Sequence, residues 1–205
     1  MNVKRCVSKF LESNTFILIK DDQAIIVDAG AELKDVINAV NGKKVKGLFL
    51  THGHYDHAYY ALSYIDYFKC PVYMNTSAIK ALKRPEYNYG ENFSINFHSV
   101  LEINRDCEID CDKFNIKAYL TPGHSECSVS YLVENHLFAG DTVFCKGIGR
   151  TDLITSDEKD MLKSLNKVLA LNFNVLHSGH DRDSTRQEQE RNLNVYIKFL
   201  QRNKK

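Results

Sequence analysis

The chain has 205 residues, of which 43% are hydrophobic and 26% are charged. A chain of this length can bury one sizeable core, so we predict a single domain over residues 1–205. Its 27 basic and 26 acidic side chains nearly cancel, which argues against the strong field expected of a protein that binds nucleic acid or an anionic membrane.

Strands and helices alternate in the first half of the chain. Apolar residues at 16–19 and 24–27 predict a hairpin, and residues 33–40 predict a short helix. A glycine-bounded apolar run over 47–51 predicts a buried strand, and a helix is predicted over 58–68. Alternation of this kind is typical of sheets that are flanked by helices.

The run His52-Gly53-His54-Tyr55-Asp56-His57 places four potential metal ligands directly after the strand predicted over 47–51. Open sheets usually carry their sites at the carboxyl ends of strands. Three of the chain's eight histidines fall with an aspartate in six residues, which chance clustering rarely produces. Imidazole nitrogens and a carboxylate suit zinc or another divalent ion such as iron or manganese.

The next notable segment, residues 85–93, is rich in turn formers and aromatic side chains. Loops of this composition often carry binding residues on a rigid scaffold. Two interpretations are equally compatible with it. It is either a loop that folds over the active site or a surface loop without a role in substrate binding.

The second half of the chain predicts three strands, at 113–120, 128–133 and 136–139, and a helix over 157–171. Two Thr-x-x-Glu patterns precede its helices. Thr155 with Glu158, and Thr185 with Glu188 before the last helix, each have the spacing of a capping box. These are elements of the fold, and they do not indicate a function.

Three more donors occur where a predicted strand runs into a glycine turn. His124 follows Thr121-Pro122-Gly123, Asp141 follows Ala139-Gly140, and His180 follows Ser178-Gly179. Strand ends that all carry donors predict that these loops converge on one side of a sheet.

With these motifs in this order, the chain resembles a member of the metallo-beta-lactamase fold superfamily. Asp28 in Val27-Asp28-Ala29-Gly30 fits the first motif, residues 52–57 fit the second, and His124, Asp141 and His180 fit the other three. The resemblance implies an α+β fold, a four-layer αβ/βα sandwich with two mixed β-sheets flanked by helices.

Residues 139–153 more narrowly resemble the small glyoxalase II-like hydrolases and the related persulfide dioxygenases. Two departures from the usual pattern are Ser178, where proline is common, and Asp181, where glycine is common. Larger glyoxalase II enzymes carry an added C-terminal helical domain, which we do not expect in this chain. Asp141 argues against an antibiotic-degrading enzyme, because the equivalent position of the best-known β-lactamases is not a bridging aspartate.

The resemblance also implies a role for each donor. It implies two divalent metal ions, with zinc the first choice and iron or manganese the alternatives. Asp141 would bridge the ions, and Asp28 would hold ligand histidines through hydrogen bonds. One ion would be bound by His52, His54 and His124. The other would be bound by Asp56, His57 and His180.

The leading functional hypothesis is a glyoxalase II-like hydrolase that cleaves a thioester, such as S-lactoylglutathione, with a metal-bridging hydroxide oriented by Asp56. A thiol pKa of about 8.5 makes thiolate a fair leaving group without a dedicated acid. The alternative is a persulfide dioxygenase-like oxidoreductase with one iron on His52, His124 and Asp141. A third hypothesis is a non-catalytic metal-binding module, which the full donor set disfavours.

The remaining expectations concern residues around the metal donors. Arg150 and Asp152 either position a substrate carboxylate or pair with each other to brace their loop. Tyr55 either contacts the substrate or braces its loop. We expect a cytoplasmic protein with a small-molecule substrate and free thiols, because no signal peptide or membrane span is recognisable. Cys127 and Cys145 either line the pocket or pack in the core. The oligomeric state is left open.

Overall fold

The first of two six-stranded sheets takes its strands in chain order in the computed structural model, which describes residues 1–202. Its first three strands are antiparallel and the rest add in parallel, so the sheet is mixed. Residues 203–205 of the predicted domain lie outside the described part. The strands are β1 (Asn2–Val7), β2 (Asn14–Lys20), β3 (Gln23–Val27), β4 (Lys44–Phe49), β5 (Val72–Met74) and β6 (Leu101–Glu102).

The second sheet runs in the order β12-β11-β10-β9-β8-β7 and is also mixed, because β10 and β11 are parallel while its other pairs are antiparallel. As a result β8, β10 and β11 all point the same way and end at the same edge. Its strands are β7 (Cys107–Cys111), β8 (Phe114–Leu120), β9 (Val129–Val133), β10 (His136–Gly140), β11 (Val175–Ser178) and β12 (Ser184–Thr185).

Helices cover the outer face of each sheet. Those of the first half pack on the first sheet, and the last two pack on the second. Within residues 1–202 none of them has the length and apolar character to cross a membrane. They are α1 (Leu33–Val40), α2 (Tyr55–Ala58), α3 (Ala61–Phe68), α4 (Thr76–Leu82), α5 (Pro85–Asn88), α6 (Glu158–Ala170) and α7 (Arg186–Arg202).

Alternation along the strands separates the layers. On β2, Phe16 and Leu18 face the apolar layer between the two sheets, while Ile17 faces the layer under the helices. Phe49 of β4 meets Tyr131 of β9 across the middle layer, with ring centroids 5.5 Å apart. Helices outside two facing sheets make four layers, so the predicted sandwich is confirmed.

Three local predictions need correction. The helix predicted over 58–68 is two helices, α2 and α3, separated by a turn at Tyr59 and Tyr60. The segment 85–93 begins with the short helix α5. The cap of α6 is Asp157, whose carboxylate accepts a hydrogen bond from the Asp160 backbone N–H at 2.9 Å, and not Thr155.

Candidate metal centre

Seven side chains from four loop regions meet at one edge of the sandwich, and we call them the donor cluster. The first four follow β4 or lie on α2, and the others follow β8, β10 and β11 respectively. Most of them are buried, so their polar atoms face one another in place of water. The donor cluster consists of His52, His54, Asp56, His57, His124, Asp141 and His180.

The first group within the cluster consists of three buried histidines, His52, His54 and His124. One ring nitrogen from each lies within 4.8 Å of the others. His124 Nε2 and His54 Nδ1 are only 3.1 Å apart. Three converging imidazoles are a common ligand set for a divalent transition metal.

The second group is Asp56, His57 and His180, again with donor atoms within 4.8 Å of one another. His180 Nε2 lies 3.1 Å from Asp56 Oδ2 and 3.3 Å from His57 Nε2. This group adds a carboxylate to two imidazoles, so it differs from the first group in charge.

Asp141 lies between the two groups. Its Oδ2 is 3.7 Å from His124 Nε2 and 3.6 Å from His180 Nε2, while its Oδ1 is 3.3 Å from His57 Nε2. Gly179 makes this approach possible, because a side chain there would overlap the Asp141 carboxylate and the His57 ring. A single carboxylate is therefore near donors of both groups.

Asp28 organises the first run of donors from behind. Its Oδ2 accepts a hydrogen bond from His57 Nδ1 at 2.9 Å and another from the Thr51 hydroxyl at 2.9 Å. Thr51 Oγ1 is in turn 3.0 Å from His52 Nδ1. One buried carboxylate thus orients His57 directly and His52 through Thr51, an arrangement common behind metal-bound histidines.

Backbone carbonyls orient two of the histidines from the other loops. His124 Nδ1 donates to the Arg150 carbonyl at 3.1 Å, and His180 Nδ1 donates to the Glu12 carbonyl at 3.2 Å. When Nδ1 carries the proton, the Nε2 lone pair is free to bind a cation. His52, His57, His124 and His180 therefore all turn Nε2 towards the centre of the cluster.

Burial lowers the pKa of the histidines in the first group. In His54 it falls to about 3, because burial and the neighbouring His124 both oppose a positive charge. The pKa of His52 is lowered well below its usual range by burial and by His57. These two imidazoles are neutral at pH 7, as metal coordination requires.

The second group favours positive charge. Burial alone would lower the pKa of His57, but the carboxylates of Asp56, Asp141 and Asp28 raise it well above the usual range. Burial would likewise raise the pKa of Asp141, yet His57 holds it well below the usual range. A cation is thus stabilised at this point of the protein, and a bound metal ion would replace the proton.

Unpaired buried atoms test whether a metal fits. His52 Nε2 and Asp141 Oδ1 are buried and have no hydrogen-bond partner within residues 1–202. Buried polar atoms are nearly always paired, and an ion is one recognised explanation when they are not. The composition of the cluster, five imidazoles and two carboxylates, also suits a borderline divalent metal.

Aromatic residues of the segment 85–93 border the cluster. The Tyr89 ring lies edge-on to the His54 ring at 5.0 Å, and its hydroxyl accepts a hydrogen bond from the Ile154 N–H at 2.8 Å. Tyr55 packs edge-on against Phe93 at 6.1 Å. Of the two interpretations of this segment, the structure favours the loop beside the site.

The other predicted side chains lie further out. Arg150 and Asp152 form a two-point ion pair with N–O distances of 2.9 Å, and both side chains are 70% exposed. Within residues 1–202, this pair contacts the cluster only through the Arg150 carbonyl, which accepts from His124. All six cysteines are free thiols; Cys127 is buried and lines a cavity beside His54, whereas Cys145 is half-buried.

The family model of the metallo-beta-lactamase superfamily matches residues 9–180, a span that includes all seven donors. The chain belongs to this superfamily. The membership confirms the family resemblance seen in the five motifs and agrees with the predicted metal-dependent chemistry. It leaves the glyoxalase II-like assignment within the superfamily as a prediction.

Relatives within the superfamily cover nearly the whole chain. A Bacillus subtilis protein named probable metallo-hydrolase YqgX is 31% identical over 91% of this chain and 94% of its own. The crystal structure of BLEG-1, named a B3 metallo-beta-lactamase, has a TM-score of 0.87 and 29% identity over 95% of this chain and 99% of that chain. A crystal structure of TTHA1623 in a di-iron-bound form shares the fold, with a TM-score of 0.76 and 22% identity over 92% of this chain and 98% of its own.

Sequence reasoning missed two kinds of residue around the site. The Thr51 hydroxyl links His52 to Asp28 through hydrogen bonds. Its place directly before His52 in the sequence could have indicated this role. Three basic residues line the cavity beside His54, Lys80 on α4 and Lys83 and Arg84 between α4 and α5. They gave no signal, because lysines and arginines occur throughout the chain.

Proposed function

We propose that this protein is a metal-dependent hydrolase that uses two divalent ions and acts on a thioester. The position of Asp141 carries the proposal, since its Oδ2 is nearly equidistant, at 3.7 and 3.6 Å, from a histidine of each donor group. A carboxylate placed in this way suits a pair of ions that share one ligand. Membership of the metallo-beta-lactamase superfamily supports the same conclusion.

His52, His54 and His124 would hold one ion, Asp56, His57 and His180 the other, and Asp141 would contribute to both. Bound divalent ions of this kind lower the pKa of water from about 15.7 towards about 7 and polarise a carbonyl oxygen. The nitrogen and oxygen donors suit zinc, and they also accept iron or manganese.

The protein's own contribution is orientation and charge. Asp56 is a half-buried carboxylate beside both His57 and His180, with Oδ2 3.5 and 3.1 Å from their Nε2 atoms. We propose that it accepts a hydrogen bond from the attacking water and so orients it towards the substrate carbonyl. The hydrogen bonds that the imidazoles donate to Asp28 and to backbone carbonyls keep the rings in place during the reaction.

A nucleophile from the protein is not needed in this scheme. Burial raises the pKa of the Cys127 thiol, so it is protonated at neutral pH. Ser125 Oγ is hydrogen-bonded to Ser128 Oγ at 2.8 Å and to Cys127 Sγ at 3.3 Å. Within residues 1–202 no histidine is hydrogen-bonded to it as a base. A thioester suits such a site, because a thiol with a pKa of about 8.5 leaves without a dedicated acid.

The first test measures metal content and then thiol release from S-lactoylglutathione, in air and without oxygen. We expect close to two metal ions per chain and release that does not depend on oxygen, is lost on chelation and returns with zinc. Asp56→Asn should lower kcat strongly, while Asp66→Asn, which alters an exposed partner of Lys69, should not. Folded, metal-loaded protein that released no thiol from a panel of acyl thioesters would refute the proposal.

The same sample tests the oxidoreductase alternative. A single iron per chain, with oxygen consumption that depends on a persulfide and with no thioester hydrolysis, would assign that activity instead.

A second candidate activity is β-lactam hydrolysis, favoured by the similarity to BLEG-1 at 29% identity and a TM-score of 0.87. The name of that protein describes a B3 metallo-beta-lactamase. We expect kcat/KM for S-lactoylglutathione to exceed that for the chromogenic β-lactam nitrocefin. The reverse order would assign the site to β-lactams.

A further inference from the structure

A cavity of about 520 Å³ lies directly beside the donor cluster, and His54 forms part of its wall. Residues of α4, of α5 and of the link between them also line it, with Lys80, Lys83 and Arg84 among them. A molecule bound in this cavity would therefore reach from the metal donors to three basic side chains.

The three basic residues, which we call the cation wall, are exposed. None of them lies within 4 Å of a carboxylate oxygen in residues 1–202. Arg84 instead rests over the Tyr87 ring, 5.6 Å from its centroid, a position that leaves its charge available. Among the described residues Glu126 is the only carboxylate that lines the cavity, so the lining as a whole carries an excess of positive charge.

Part of the same cavity lining is apolar. Ala81, Cys127 and Ile154 contribute to it together with the Tyr87 ring. A thioester of a charged thiol matches a cavity that has metal donors and basic side chains in its walls, because an uncharged arm separates its neutral acyl-thiol linkage from its charged groups.

We propose that this cavity is the subsite for an anionic group carried by the substrate's thiol, and that the cation wall binds it while the thioester reaches the donors at His54. The inference rests on the proposed thioesterase function and narrows its substrates to acyl thioesters of anionic thiols. Two thiols share this chemistry: glutathione, through its carboxylates, and coenzyme A, through its phosphates.

The test compares three thioesters on the zinc-loaded protein: S-lactoylglutathione, acetyl-coenzyme A and the neutral S-acetyl-N-acetylcysteamine. The triple variant Lys80→Ala, Lys83→Ala, Arg84→Ala should raise KM for the anionic substrate about tenfold, since each exposed ion pair contributes a few-fold at most. KM for the neutral thioester should not change. The anionic substrate whose KM rises identifies which thiol is the source.

Two controls distinguish the loss of positive charge in the triple variant from a general loss of structure. Lys198→Ala removes an exposed lysine on α7, away from the cavity lining, and should leave every KM unchanged. KM for the anionic substrate should also rise with ionic strength in the wild type and lose that dependence in the triple variant. An unchanged KM for both anionic substrates, or an equal rise for the neutral one, would overturn the subsite.

Binding without turnover keeps the subsite test independent of the proposed function. The thioethers S-methylglutathione and S-ethyl-coenzyme A carry the same charges but cannot be hydrolysed. Calorimetry should show at least one of them binding about tenfold more weakly to the triple variant than to the wild type. If thioester hydrolysis fails but this difference is found, the function is wrong and the subsite stands; if neither thioether distinguishes the two proteins, the subsite is refuted.

Discussion

The donor cluster and the cation wall border the same cavity but are built in opposite ways. His57 and Asp141 are buried, and the rings of His57, His124 and His180 are held by hydrogen bonds that they donate to Asp28 or to backbone carbonyls. Lys80 and Lys83 are exposed and lack ion-pair partners within the described residues 1–202. We therefore expect the cluster to be rigid before anything binds and the exposed lysines of the wall to adjust to a bound anion.

This contrast separates the reaction from the choice of substrate. The geometry of rigid donors determines which bonds can be activated, because positioning errors of an ångström are costly. Flexible cations contribute binding that tolerates different anion shapes, since a lysine ammonium is a point charge on a long stem.

The largest expected effect follows from removing the shared carboxylate. Asp141→Asn keeps the size of the side chain but removes the charge near both donor groups. We expect metal content to fall from about two ions to about one, and hydrolysis to fall by more than the roughly 100-fold typical of losing an outer hydrogen-bonding partner. Elemental analysis and thiol release measure the two quantities. Asp152→Asn, at an exposed ion pair, is the matched control, and retention of two metals by Asp141→Asn would contradict the bridging role.

Asp28→Asn tests whether the hydrogen bonds to Asp28 keep the metal-ligand histidines in place. Asp28 has a left-handed backbone with φ of 62°, which asparagine tolerates well, so the change isolates the carboxylate. The amide would no longer accept from both His57 and Thr51, and zinc affinity should fall about 10- to 100-fold. Chelator competition measures the affinity. Asp22→Asn, at an exposed pair with Lys113, should leave it unchanged, and equal affinities for the two variants would count against a rigid cluster.

Tyr89 contacts the donor cluster through His54 and the lining of the cavity through Ile154, so Tyr89→Phe tests how far the cluster extends. The substitution retains the ring against His54 and removes the acceptor for the Ile154 N–H. We expect a two- to tenfold rise in KM, about the worth of one hydrogen bond, with metal content unchanged. Steady-state kinetics with S-lactoylglutathione measure it, with Tyr67→Phe on the exposed face of α3 as the control. Loss of metal from Tyr89→Phe would instead make this residue part of the rigid side.

The smallest expected effect is on stability, at the start of α7. This helix holds the loop that follows Asp141. Gln189 and Asn192 of α7 hold the Phe144 carbonyl, and the helix begins with the predicted capping box, in which the Thr185 N–H donates to Glu188 Oε2 at 2.8 Å. Hydrogen bonds from Arg182 and Thr185 lower the pKa of Glu188 to about 2, below its usual value of 4.5.

A lowered carboxyl pKa contributes stability above the unfolded value and loses it as the pH falls towards the folded value. Metal-free Glu188→Gln should therefore unfold at a lower urea concentration than the wild type at pH 7, and the gap should narrow at pH 3.5. Urea midpoints at the two pH values measure this. A gap that widened on acidification would contradict the proposed charge role of Glu188.

Much of the site could be predicted because its residues follow simple local rules. His52, His124, Asp141 and His180 each come directly after an apolar strand, and Gly53, Gly123, Gly140 and Gly179 mark the turns. Strand ends on one edge of a sheet bring such residues together whatever the details of packing. The Thr185–Glu188 capping box was predictable for the same reason, since both partners lie within one turn.

Elements that depend on distant contacts were not predictable. β5 and β6 have three and two residues, too few to show alternation, and they form because a neighbouring strand is present. Thr155 and Asp157 both had the chemistry of a cap for α6. Asp157 takes the position as its N–H donates to the Gly123 carbonyl at 2.9 Å, a contact between residues 34 positions apart that the local pattern does not contain.

The division of the donors along the chain has a consequence for assembly. His52 and His54 of the first group, and Asp56 and His57 of the second, precede β5, whereas His124, Asp141 and His180 all follow β7. Each group therefore has two members in one half of the chain and its third in the other. If the chain were cut between β6 and β7, each bound ion would link the two pieces, and zinc binding could be followed as the association of two fragments.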